Sequence, residues 1–141
     1  MGMAWKEFQK LSKRTQPFNA EPTNKQELYS FLGNYALGTL GEFHELQVEI
    51  NKVPLDDTPT MDLVNLIEKE VGDLSHYLVG LLSVLEEEFD EERLKTVWNV
   101  INIEEDLCNI AEIIKKYVHH GHSVDEVKLV NSIYKVISYI Q

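Results

Sequence analysis

No proline interrupts the chain between Pro22 and Pro54, and none follows Pro59. In both proline-free stretches apolar residues recur at helical spacing: Leu28, Leu32, Tyr35, Phe43, Leu46 and Ile50 in the first, then Leu63, Leu66, Ile67, Leu74, Leu78, Leu81 and Leu85. A period of three to four residues buries one stripe of a helix and cannot serve a strand, whose side chains alternate. Strand signals are nearly absent elsewhere, so the chain is read as all-α: a single domain, residues 1–141, forming an antiparallel bundle of about five helices. The expected helices run from Ala4 to Arg14, from Thr23 to before Pro54, from Pro59 to about Glu88, from Asp90 to His120 and from Val124 to Ile140. Thr23-x-x-Gln26 and Ser123-x-x-Glu126 have capping-box form, Thr58 precedes a first-turn proline, and Gly121 is a natural left-handed stop.

Two acidic doublets ride on this pattern, Glu42-x-x-Glu45 and Glu70-x-x-Asp73, joined through a Pro- and Asp-rich turn at Val53 to Thr58. Residues three apart share a helix face, so a hairpin brings four carboxylates together. At 100° per residue Glu42, Glu45 and Glu49 fall within an arc of about 60°, beside Phe43, Leu46 and Ile50. Glu70, Asp73 and Tyr77 share an arc beside Leu74, Leu78 and Leu81. Acids bordering a core repel one another or take up protons unless a cation joins them. Hard divalent ions prefer oxygen ligands, which makes Mg2+ the expected occupant and Mn2+ its alternative.

The charge balance agrees. With 24 acidic and 13 basic residues the formal charge is −11, which argues against a nucleic-acid polymer as partner. A polyanionic small molecule can still bind through bridging metal ions. No run approaches the roughly 18 apolar residues of a membrane span, and Met1 to Arg14 lacks a signal-peptide core. The single Cys108 fits a reducing compartment, so a cytoplasmic, membrane-free protein is expected.

The chain also resembles itself. ELQVEINK (Glu45 to Lys52) is echoed by NIAEIIKK (Asn109 to Lys116), and VGDLSHYL (Val71 to Leu78) by IYKVISYI (Ile133 to Ile140), at offsets of 64 and 62 residues. Residues 1–90 thus carry the intact acidic motif and residues 91–141 a degenerate copy in a tandem helix-hairpin repeat. Glu42, Glu45, Glu70 and Asp73 correspond to Asp106, Asn109, Ser132 and Lys135, a set that cannot assemble the same cation site. Lys135 is expected to be an outward-facing surface lysine, with neutralisation of a substrate's phosphate as the alternative.

The doublets, the 24 residues between them, and their settings LGTLGEFHEL and EKEVGDLSHYL resemble the MazG-like branch of the all-α nucleoside triphosphate pyrophosphohydrolases. FQKLSKRT (Phe8 to Thr15) is similar to that family's opening helix. The resemblance covers roughly residues 5–88, with an eroded first-motif helix at 104–122. It implies an Mg2+-dependent enzyme that cleaves an NTP or dNTP between the α and β phosphates, giving the monophosphate and pyrophosphate. Glu42, Glu45, Glu70 and Asp73 would hold the metal, one glutamate serving as general base. Tyr77 and Asn34 are candidates for sugar or base contacts, Trp5 and Phe8 for base stacking or for packing, and Lys52 for phosphate or for the helix dipole. Members commonly associate, so a homodimer is favoured, although the repeat supplies a pseudo-dimer within one chain. The alternative is a catalytically silent nucleotide-binding or protein-interaction bundle on the same scaffold.

Other metal readings are weaker. His119, His120 and His122 surround the Gly121 stop, where histidine suits a helix C-terminus. Asp73-x-x-His76 has no second copy of the kind that di-iron bundles need, and His44 points about 100° away from Glu45.

Overall fold

The computed structural model describes residues 4–16, 20–53, 60–97 and 102–141, and the described residues form helices without strands. There are six: α1 (Trp5–Lys13), α2 (Lys25–Ile50), α3 (Met61–Val84), α4 (Glu91–Val97), α5 (Ile103–His120) and α6 (Glu126–Ile140). The turn expected at Pro54 to Thr58, together with Pro59, lies outside the described residues, as does Pro17.

The expected fourth helix is two. Asn102 is extended (φ −128°, ψ 98°), and its side chain accepts the Glu105 N–H, so α5 starts afresh there. Asp106 Oδ2 in turn accepts the Asn102 N–H at 3.2 Å, a second orphan donor satisfied. Other caps fall slightly away from their expected positions. Asn24, not Thr23, caps α2 by accepting from Glu27 N–H, and the Glu27 carboxylate takes both the N–H and the hydroxyl of Thr23. Thr60 caps α3 and Asp125 caps α6, so the Ser123 box is not used. α3 ends at Val84, before a left-handed Glu86 (φ 60°), rather than at Glu88. Gly121 is the left-handed stop of α5 (φ 68°).

Four helices enclose the core as a ring: α2 packs on α3 and α5, and α6 packs on α3 and α5. α1 lies on α3 as α4 lies on α6. Exchanging α1–α2–α3 with α4–α5–α6 therefore leaves this principal packing scheme unchanged. Leu74, Leu78, Leu81, Leu82, Leu129, Ile133 and Ile137 fill the centre and are essentially inaccessible to water. α2 and α3 run antiparallel, since Tyr35 lies over Gly80 while Gly38, further along α2, meets Tyr77, further back on α3. No helix among the described residues is long and apolar enough to cross a membrane.

The inner face of α1 is unexpectedly polar. Gln9 Nε2 donates to Ser83 Oγ and to the Glu87 carbonyl, and its Oε1 accepts the Phe89 N–H. Ser12 Oγ lies 2.6 Å from His76 Nδ1, and Gln16 Nε2 donates to the His76 carbonyl. Gln16 Oε1 accepts the Tyr35 hydroxyl. Each of these buried groups has a partner, so the seam is satisfied and directional rather than merely apolar.

Candidate metal centre

One turn along α3 from His76, the antiparallel pairing brings the two acidic faces together. Carboxylate oxygens of Glu42, Glu45 and Glu70 all lie within 4.8 Å of one another. Asp73, half-buried, is not within that group, though its charge acts on both Glu42 and His76. Glu70 is buried, at 8% exposure, while Glu45 opens to solvent. Lys69 Nζ, on an exposed side chain, stands 4.0 Å from Glu70 Oε1, a loose pair.

The electrostatics are those of a crowded anionic site. Burial first, then the Glu70 carboxyl within hydrogen-bonding reach, then the charges of Glu45, Asp73 and Glu70 push the Glu42 carboxyl up to about 7. Even so, Glu42 Oε2 and Glu70 Oε2 are buried with no hydrogen-bond partner. Buried polar atoms are almost always partnered, and orphaned oxygens on converging carboxylates are a place where a cation could be held. Oxygens facing each other across Mg2+ stand about 4.2 Å apart, from bonds of 2.0–2.1 Å. The three oxygens lie within 4.8 Å of one another, close enough for side-chain torsions to bring them onto one ion. The donor set therefore fits a hard divalent cation. Glu42, Glu45 and Glu70 would hold it, with Asp73 adjoining.

Of the remaining candidates, Tyr77 belongs to the neighbourhood. It follows Asp73 by one turn, is half-buried, and lays its ring over Gly38, one turn before Glu42. It also meets Tyr35 edge-on at 5.0 Å. Asn34 is exposed and lies about 12 Å along α2 from Glu42. Lys52 is exposed and pairs with Glu49 at 3.1 Å.

Trp5 and Phe8 are not base-stacking residues of this centre. α1 runs antiparallel to α3, so its first turns lie near Ser83 and Glu87, roughly 20 Å along α3 from Glu70. Trp5 is buried, stacked on Phe89 at 5.6 Å, with its indole N–H on Gln141 Oε1. Phe8 packs edge-on against Trp5. Spacing along α1 reports a face of the helix but not which end of the bundle it serves.

The second hairpin requires another correction. Lys135 is not an outward lysine: its side chain is 26% exposed and its ammonium stands 3.8 Å from Asp106 Oδ1, itself only 2% exposed. Ser132 is buried beside them in the core. Among the described residues the histidines around Gly121 form no metal-ligating group.

Glu49 received no role from its place in the sequence, although it shares the phase of Glu42 and Glu45. Its Oε2 is the third orphaned buried oxygen of the described residues.

Comparison with protein-family models, curated proteins and solved structures finds no match to this chain.

Proposed function

We propose that the α2–α3 centre binds Mg2+, or Mn2+ in its place, and hydrolyses a nucleoside triphosphate between its α and β phosphates, releasing the monophosphate and pyrophosphate. The observation that carries this reading is the convergence of Glu42, Glu45 and Glu70 from two helices, two of them with buried oxygens that nothing else satisfies. The bound ion would supply charge neutralisation at phosphate oxygens and a more acidic water. One of the glutamates would act as general base toward that water; the upward push on the Glu42 carboxyl belongs to the ion-free site and does not single it out. Glu45, at the solvent edge, and Glu70, at the buried edge, would set the orientation of the polyanion. Tyr77 supplies a half-buried aromatic edge beside Asp73 for sugar or base contact. The resemblance to MazG-like pyrophosphohydrolases supports the choice of substrate class.

The test is pyrophosphate release from a panel of standard and modified NTPs and dNTPs with Mg2+. Release from at least one, lost with EDTA, is the expected outcome. Tight nucleotide binding with no release from any would transfer the assignment to a catalytically silent nucleotide-binding bundle.

A further inference from the structure

The outward face of α2 carries no acid, lysine or arginine. At 100° per residue Gly33, Leu37, Leu40, Gly41, His44 and Val48 fall within an arc of about 100°. The arc lies opposite the buried Leu32, Thr39 and Leu46, and every Asp, Glu, Lys and Arg of the helix is off it. Leu37 is 70% exposed, Leu40 37% and Val48 40%. A surface helix normally turns charged residues to water, and the tandem repeat supplies the control. At the offset of 64, Leu40, Gly41, His44, Val48 and Asn51 correspond to Glu104, Glu105, Cys108, Glu112 and Lys115, all exposed on α5. Glu112 there pairs with Lys115 at 3.1 Å. One scaffold thus presents a solvated face on α5 and an apolar one on α2, and contiguous exposed apolar surface marks a contact.

A second copy of the same face fits it. A two-fold axis between Leu40 and Gly41 sets two α2 helices antiparallel, with Leu40 over Gly41, Val48 over Gly33 and Leu37 over His44 of the other copy. At Gly33 and Gly41 a Cβ would meet nothing within 4 Å, so the room opposite each large side chain is open. Charge selects the same arrangement. Two chains of net charge −11 approach with least repulsion across an uncharged strip. In the antiparallel pair Glu42, Glu45 and Glu49 lie level with Thr39, Ala36 and Leu32 of the second copy rather than with its acids, and Lys52 comes within about 3 Å of the level of Glu27. The strip is about 39 Å long and one helix wide, about 10–12 Å, hence roughly 400–450 Å2 per copy. About half the area of a standard stable interface makes the dimer a reversible one.

We propose that the outward face of α2 is a self-association surface, through which two copies of the chain pair antiparallel about a two-fold axis. The contact is separate from the pseudo-dimer within one chain, which uses the buried face of α2, and it does not depend on the nucleotide reading. The test is sedimentation equilibrium of the full chain up to about 500 µM, in EDTA so that no ion bridges carboxylates of two copies. Wild type is expected to form a reversible dimer. His44→Glu should raise the dissociation constant at least about tenfold, whereas Cys108→Glu, the same change at the corresponding position of α5, should leave it unchanged within about twofold. Both positions are exposed, and far-UV circular dichroism checks that the variants fold. For the direction of pairing, Gly33→Cys and Val48→Cys are each made in the Cys108→Ser chain, and the mixture should form disulfide-linked dimers on oxidation more readily than either variant alone. A wild type that stays monomeric overturns the proposal and leaves the face to a different protein. A dimer that His44→Glu does not weaken overturns the assignment to this face. Linking no better in the mixture than in either cysteine variant alone overturns the antiparallel pairing.

Discussion

The Lys135 ammonium stands 3.8 Å from the buried Asp106 carboxylate, at positions that correspond to Asp73 and Glu42 of the first hairpin, where both residues are acids. Burial pushes the Asp106 carboxyl above its ordinary range, and the Lys135 charge and the Asn102 N–H act against this. An ammonium fixed to the chain thus does in α5–α6 what a diffusible ion is proposed to do in α2–α3. Lys135→Met should leave Asp106 under-compensated and destabilise the fold by about 1–3 kcal/mol. Urea denaturation measures this, and Mg2+ should not restore the loss. Restoration by Mg2+ would mean that the second hairpin also takes a metal.

In the first hairpin the proposed ion is not part of the chain, so stability should depend on its concentration. At an Mg2+ concentration about 100 times Kd, linkage gives roughly 2.7 kcal/mol. That corresponds to a rise in Tm of about 8–10 °C for a chain of this size. Glu45→Gln or Asp73→Asn should blunt the rise and lower turnover roughly a hundredfold or more. Full activity in Glu45→Gln would refute the site.

How much of this was legible beforehand follows from what spacing encodes. The phase of Glu42, Glu45 and Glu70 on their helices places them on one face, and antiparallel packing then brings them together. Spacing says nothing about axial level, and so Trp5 and Phe8, on the right face of α1, sit at the wrong end of α3. The α4–α5 break was hidden because Asn102 lies between Ile101 and Ile103 in an apolar run, where its capping role does not show. Lys135 looked solvent-bound because a lone lysine on a helix normally is, although the repeat places it on the helix facing Asp106 in the same hairpin. The seam of Gln9, Ser12 and Gln16 was missed for a simpler reason: polar residues at helical spacing normally mark the outer face.

A pH dependence follows from Glu42. Its carboxyl titrates at about 7 in the folded protein against an ordinary 4.5, so the folded state holds a proton across that interval which the unfolded state has lost. The stabilisation is complete below pH 4.5 and disappears as pH rises through about 7. Metal-free wild type should therefore lose stability over this window relative to Glu42→Gln, whose amide does not titrate. The difference between the two Tm curves in EDTA is the measurement, and parallel curves would show that Glu42 is not crowded by its neighbours.

Gly38 tests whether the Tyr77 ring is placed by close backbone approach. A Cβ at Gly38 would lie 2.8 Å from two atoms of that ring, too near for either to stay in place. The ring is itself held against Tyr35, so it has little room to retreat. Gly38→Ala should cost about 1–3 kcal/mol through overpacking. Gly33→Ala and Gly41→Ala on the same helix meet open space and should each stabilise by about 0.5–1 kcal/mol, because alanine restricts the unfolded chain. The contrast separates packing from helix propensity, since all three changes carry the same intrinsic gain. If Tyr77 contacts the nucleotide, Gly38→Ala should also raise KM for the preferred substrate while leaving Mg2+ binding intact, because its clash lies one turn from the carboxylates. An unchanged KM together with the stability loss would confine Tyr77 to packing.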